Sequence, residues 1–129
     1  MIALAVMCGV AHADPCMTIS AADPGDAATI RHRLLALVPV TPHACLDVTV
    51  ASVVRDAGDE IALVETVRVM ISDDHGRMLS VLSGGATAHA ARGSHKLPLY
   101  RRDALEQAID GLAPAIRTHL APPPHRRTS

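Results

Sequence analysis

Residues 45–55 read CLDVTVASVVR, and apolar and polar side chains alternate through most of this stretch. Leu46, Val48 and Val50 fall on one side, whereas Asp47 and Thr49 fall on the other. Because successive side chains of a strand point to opposite faces, a period of two predicts a strand with one buried face. The elements around it have to cover that face.

Two more strands are expected after this one. Asp56–Asp59 has the composition of a turn and leads into a β-rich run from Glu60 to Ser72. Asp73–Gly76 is a second turn, and a third strand should run from about Arg77 to Ala90. The three strands together predict an antiparallel meander.

Two features interrupt this pattern. Glu65 falls among the apolar residues of the second strand, which predicts an edge position, a β-bulge or a water-filled notch there. Gly84-Gly85 lies in the middle of the third strand, where glycine is typical of a bulge or of the close approach of another group. We favour packing against a helix over contact with a ligand, because small residues follow at Ala86, Ala88 and Ala90.

One helix is predicted before the meander in the sequence and one after it. The first should begin after Asp23, a capping residue followed by Pro24 and by the acidic Asp26, and end near Leu37. Its apolar face should hold Ala27, Ile30, Leu34 and Leu37.

The last helix should begin near Asp103, because Asp103 and Glu106 have the capping-box spacing. Pro114 is expected to kink or split it. Its apolar stripe consists of Leu105, Ile109, Leu112, Ile116 and Leu120.

These elements predict an α+β fold of two layers. A three-stranded antiparallel meander would carry two helices on one face and leave the other face open to water. A short strand at Cys16–Ser20 could add a fourth strand.

The amino terminus is typical of an export signal. The apolar run Ile2–Val10 precedes Ala11-His12-Ala13, a small-x-small pattern that predicts cleavage after Ala13. We therefore expect a signal peptide at 1–13, one domain at 14–121 and a disordered, Pro-rich basic tail at 122–129. Since no Lys or Arg precedes the run, a start further upstream and an ordinary buried strand remain alternatives.

The predicted export signal determines the state expected for each of the three cysteines. Lipidation of Cys8 is disfavoured, because bacterial lipoprotein signals have a small residue directly before the lipidated cysteine and this chain has Met7 there. Cys16 and Cys45 would remain after cleavage and are expected to form a disulfide in a periplasmic or secreted protein. Two buried thiols are the alternative, and no Cys-x-x-Cys spacing favours a redox pair.

Composition disfavours several functions. The chain has no Trp, no Phe and one Tyr, so stacking sites for bases or sugars are not expected. Twelve basic and thirteen acidic residues give no basic patch for nucleic acid. No run is long enough to span a membrane.

No catalytic or metal-binding motif is evident, and we expect neither enzyme activity nor a cofactor. His89 and His95 lack the spacing of a zinc pair, and Ser83 lacks the context of a nucleophile elbow. Two alternatives stay open: a small-ligand carrier with its pocket between helices and sheet, and a small metal protein or hydrolase using His89, His95 and Glu65.

One family resemblance involves the strands VETVRV at 64–69 and LSGGATA at 82–88 and the helix ALEQAIDGL at 104–112. The region Val48–Leu120 resembles small exported bacterial domains related to the periplasmic accessory proteins of the penicillin-binding-protein activator and curli-secretion groups. The resemblance implies a noncatalytic module that binds another envelope protein, and it assigns no functional residue.

Overall fold

The computed structural model describes residues 16–39 and 43–120, which form four strands and two helices. The predicted signal at 1–13 and tail at 122–129 lie outside the described residues. In chain order the elements are β1 (Cys16–Ser20), α1 (Pro24–Leu37), β2 (Ala44–Ala57), β3 (Glu60–Asp73), β4 (Met78–Ala91) and α2 (Leu97–Leu120).

The strands form one mixed sheet in the order β1-β2-β3-β4. β2, β3 and β4 pair antiparallel, which confirms the meander, and β1 adds a fourth strand parallel to β2. The pairing of β2 with β3 is regular from Ala44 opposite Asp73 to Ala57 opposite Glu60. The predicted α+β fold is therefore confirmed.

Both helices lie on one face of the sheet. α1 contacts β1 and α2, and α2 contacts β3 and β4. The opposite face is open, with Thr49, Thr66 and Thr87 exposed on three neighbouring strands. The core between the layers is aliphatic, and its most fully buried members include Ile30, Leu34, Val48, Val67, Val69, Ile71, Leu105, Ile109 and Ile116.

α1 begins and ends as predicted. The Asp23 carboxylate accepts a hydrogen bond of 2.8 Å from the Gly25 backbone N–H, and Pro24 occupies the first turn, where its missing N–H costs nothing. Ile30 and Leu34 are fully buried. The predicted apolar face was wrong in one respect, since Asp26 is buried while Ala27 and Leu37 are only half-buried.

α2 starts earlier than predicted, at Leu97. Asp103 lies inside the helix and is exposed, so the prediction of a capping box there was wrong. Ser94 Oγ accepts a hydrogen bond of 3.1 Å from the Lys96 backbone N–H just before the helix, and Pro98 lies in the first turn. A proline is tolerated in the first turn because the N–H groups there have no partner within the helix.

Pro114 does not split α2, which is continuous from Leu97 to Leu120. Pro114 deprives the Asp110 carbonyl of its helical donor, but both residues are exposed, so water can solvate that carbonyl. Burial of Ala113 and Ile116 holds both halves of the helix on the sheet. All five residues of the predicted apolar stripe are buried: Leu105, Ile109, Leu112, Ile116 and Leu120.

Candidate functional site

Glu65 is a fully buried acid in the interior of the sheet. Its strand, β3, is flanked by β2 and β4, and Glu65 is in regular register with Ser52 on one side and Ala86 on the other. The predictions of an edge strand or a bulge at Glu65 were therefore wrong. The register shift between β3 and β4 lies at Ile71/Ser72, where β4 has the extra residue Leu79 between Ser80 and Met78, away from Glu65.

The two carboxylate oxygens of Glu65 have different surroundings. Ser52 Oγ donates a hydrogen bond of 2.7 Å to Oε1. Oε2 is buried without a hydrogen-bond partner among the described residues, and its closest ion pair is with Arg101 Nε at 3.9 Å. That separation is too long for a hydrogen bond. Half of this buried carboxylate is therefore unsatisfied, an arrangement that costs free energy if the group is ionised.

Arg101 connects α2 to the amino-terminal end of α1. Its Nη2 group forms an ion pair with Asp26, and its Nη1 atom lies 3.9 Å from Asp23 Oδ2. Arg101 thus faces three carboxylates, those of Asp23, Asp26 and Glu65, two from the start of α1 and one from β3. We name these four residues together with Ser52 the Glu65 cluster.

Burial raises the pKa of Glu65 above its ordinary value of 4.5. The hydrogen bond from Ser52 and the charge of Arg101 lower it, and the negative charge of Asp26 raises it further. Sequence reasoning identified Glu65 as anomalous but missed Arg101 and Asp26. The acidic third residue of α1 was read as part of its cap, and nothing in the sequence indicates that Arg101 reaches it.

A second candidate feature is the outer edge of β4. β4 ends the sheet, and its fourteen residues, MLSVLSGGATAHAA, include no Lys, Arg, Asp, Glu or Pro. Three large apolar side chains near its start are exposed: Met78 by 56%, Leu79 by 51% and Val81 by 41%. Charges and proline are the usual means by which edge strands avoid pairing with other chains. β4 has neither, and its pairing with β3 is irregular only at the extra residue Leu79, between Met78 and Ser80.

The opposite edge of the sheet is protected differently. β1 is only five residues long, and Arg31 Nη2 of α1 donates a hydrogen bond of 3.0 Å to the Met17 carbonyl. Beyond β1, β2 has no second neighbouring strand among the described residues, but this stretch carries Arg55 and Asp56. β4 is thus the longest uncharged edge in the described part of the chain.

Gly84 is required by the helix that lies above it. A Cβ atom at this position would be 2.9 Å from Leu112 Cγ and 3.4 Å from the Ala108 carbonyl oxygen of α2. Helix packing was the favoured interpretation of the glycine pair, and this contact confirms it for Gly84. At Gly85 the nearest atom to a Cβ would be the Glu65 carbonyl oxygen at 3.1 Å, a backbone neighbour in β3.

The histidine hypothesis is not supported by the geometry. His89 is exposed on the open face of the sheet, opposite Ala62, whereas Glu65 points to the helices. His95 is exposed in the turn before α2. Over residues 16–39 and 43–120, no three His, Cys, Asp or Glu side chains are grouped so that they could hold a metal ion.

The structure contains the Cys16–Cys45 disulfide, with the two Cα atoms 4.7 Å apart. The two residues are register partners in the parallel pair of β1 and β2. Cys45 stands between the buried Ala44 and Leu46, so the bridge lies on the face away from the helices. It anchors β1 to the start of β2 from the open side of the sheet.

The ligand-carrier hypothesis placed a pocket between helices and sheet. Core side chains from α1, α2 and the strands pack together at that place. A surface groove of about 320 Å³ lies instead between the two helices. It is lined by Ala28, Thr29, His32, Arg33, Arg102 and Glu106.

Comparison with solved structures identifies bacterial lipoproteins of the same fold. A minor lipoprotein from Acinetobacter baumannii is 13% identical with a TM-score of 0.56, over 79% of this chain and 88% of that protein. Rare lipoprotein B from Shewanella oneidensis is also 13% identical, with a TM-score of 0.57, over 79% of this chain and 93% of that protein. At this identity the likeness shows the fold alone.

No protein-family model matches the chain, and no curated protein matches it. None of the helices in the described part of the chain has the length and apolarity needed to cross a membrane.

Proposed function

We propose that this chain is a noncatalytic protein of the bacterial envelope that binds an extended segment of another envelope protein along the outer edge of β4. The observation that carries the proposal is the uncharged, proline-free edge of β4 with its three exposed apolar side chains. The shared fold with bacterial lipoproteins and the apolar leader predicted at 1–13 support an envelope location.

Strand addition suits this edge for two reasons. The outer N–H and C=O groups of an edge strand are unpaired and can form the ladder hydrogen bonds of one further strand. Met78, Leu79 and Val81 are exposed near the start of β4, so an incoming strand would find apolar side chains beside the first residues of this edge. Backbone pairing would supply affinity, and these side chains would select apolar partner residues.

The packing of α2 over β4 favours the same use. α2 packs over the strand, and the contact of Leu112 with Gly84 brings the helix close to its backbone. The edge is therefore held in an extended, pairing-ready form before a partner arrives, which lowers the ordering cost of binding. We also propose that the chain is related to the accessory domains of the penicillin-binding-protein activator and curli-secretion groups.

The test is site-specific photocrosslinking in intact cells. A photoactivatable residue replaces Ser83 on β4, Val53 on β2 or Gln107 on α2, all of which are exposed. We expect one discrete adduct with an envelope protein from position 83, and at least tenfold less from positions 53 and 107. Equal labelling from the three positions, or no protein adduct at position 83, would count against the proposal.

A matched pair of variants tests the edge itself. Leu79→Lys with Val81→Lys adds charge to the β4 edge, and Val53→Lys with Val54→Lys adds the same charge to exposed apolar residues of β2. We expect the β4 pair to abolish the adduct and the β2 pair to leave it. Loss in the β2 pair alone would move the interface to the other edge.

A further inference from the structure

We propose that Arg101 is a proton-controlled latch between the sheet and the two helices, held by Asp26 when Glu65 is neutral and drawn onto Glu65 when Glu65 ionises. The inference rests on the geometry of the Glu65 cluster and is independent of the proposed partner binding.

Three carboxylates share one counter-charge in the Glu65 cluster. The guanidinium of Arg101 faces the carboxylates of Asp23, Asp26 and Glu65. Its Nη2 group already forms an ion pair with Asp26. No other cation is paired with Glu65 or Asp26 among the described residues. From β2, Glu65 meets only the neutral Ser52 hydroxyl, and its register partner on β4 is Ala86. Within residues 16–39 and 43–120, Arg101 is therefore the only cation placed to neutralise a charge on Glu65.

A negative charge on the buried Glu65 side chain costs free energy. Glu65 is 0% exposed, and Ser52 satisfies only Oε1. A neutral carboxyl tolerates this environment, whereas a buried carboxylate with an unsatisfied oxygen does not. Consistent with this, burial raises the pKa of Glu65. When the proton leaves to solvent, the unsatisfied oxygen becomes a strong hydrogen-bond acceptor.

A small movement of the Arg101 side chain would bring it into hydrogen-bond contact with Glu65. Arg101 Nε lies 3.9 Å from Oε2, so a charge-assisted hydrogen bond of about 2.8 Å requires a shift of about 1 Å. A guanidinium has five N–H donors and can bond two carboxylates at once. Ionisation should thus tighten the contact of α2 with β3 while sharing the ion pair to Asp26. Protonation should return Arg101 to Asp26 and α1.

The experiment is a pH titration of the full chain, with the disulfide intact, by nuclear magnetic resonance. Two signals are followed together: the Glu65 side-chain carboxyl carbon and the Arg101 Nε–H group. We expect both to titrate with the same midpoint, above pH 4.5. Arg33 Nε, which donates to Asp110 at 2.8 Å, is the internal control and should follow Asp110 at a lower pH.

Two variants separate a latch from a passive contact. Glu65→Gln should abolish the change in the Arg101 Nε signal that coincides with the Glu65 midpoint, while leaving the change at Arg33. Asp26→Asn removes a negative neighbour and frees Arg101, so the Glu65 midpoint should fall. If either variant fails to fold, the wild-type titration still decides. An Arg101 Nε signal that stays fixed while the Glu65 carboxyl titrates would overturn the proposal.

Discussion

Leu112 of α2 occupies the space directly above Gly84 of β4, so that a Cβ atom on residue 84 would lie 2.9 Å from Leu112 Cγ. The Ala108 carbonyl oxygen, 3.4 Å from the same point, belongs to the helix backbone. A flexible leucine can turn aside, but the backbone of α2 can move only if the packing of the whole helix changes. α2 can therefore lie this close to the sheet only because residue 84 is a glycine.

Substitution of this glycine should weaken the fold. We expect Gly84→Ala to lower the free energy of unfolding by about 1 to 3 kcal/mol, the usual cost of overpacking a core. Urea denaturation measures the change. Gly111→Ala is the matched control, since a Cβ there meets nothing within 4 Å. It should stabilise the chain by about 0.5 to 1 kcal/mol through helix propensity. A destabilised Gly111→Ala alongside an unaffected Gly84→Ala would contradict this account.

Removal of the disulfide should have a larger effect. The bridge closes a loop with a sequence separation of 29 between Cys16 and Cys45. Chain entropy then predicts that the double variant Cys16→Ser, Cys45→Ser loses about 3 to 4 kcal/mol of stability. Denaturation of the wild type with and without reductant provides the comparison. Reductant should lower the midpoint of the wild type and leave that of the double variant unchanged. An equal effect of reductant on both proteins would show that the bridge does not form.

Stability should fall as the pH rises through the pKa of Glu65. The folded state raises this pKa above 4.5, so the folded protein binds more protons than the unfolded chain in that range. The stabilising contribution is complete below about pH 4.5 and is lost above the folded-state pKa. Asp110 acts in the opposite sense, because the hydrogen bond from Arg33 lowers its pKa below 3.8.

The check is a series of denaturation midpoints between pH 3 and pH 8. Glu65→Gln should remove the decline at higher pH, and the exposed Glu60→Gln should retain it. The physical reason is that glutamine cannot ionise in the buried site. A Glu65→Gln profile that keeps the wild-type decline would show that another group is responsible.

Pro114→Ala should strengthen α2. The substitution restores an N–H group that can donate to the Asp110 carbonyl, and it removes the clash of the proline ring with the preceding turn. Because Pro114 is exposed and the helix is already continuous, no core contact is lost. We expect a gain of up to about 3 kcal/mol, seen as a higher melting temperature. A lower melting temperature would indicate that the proline is needed for the shape of the helix.

Most of the fold was predictable because its signals are local. The alternation through Leu46, Val48 and Val50 gave β2 its buried face, and Asp23 with Pro24 gave α1 its start. The start of α2 was missed because Asp103 and Glu106 have the spacing of a capping box although both lie inside the helix.

The amino-acid sequence by itself determined the order of the elements, the alternation that divides the sheet into a covered and an open face, and the spacing of Cys16 and Cys45. The order and the alternation depend on residues close together in the chain, and the cysteine spacing is read directly from it. The tertiary structure alone decided that Glu65 is buried in a central strand and that Arg101 reaches both Glu65 and Asp26. The charges in this cluster come from residues 23, 26, 65 and 101, and only the packing of two helices on one sheet brings such distant positions into electrostatic contact.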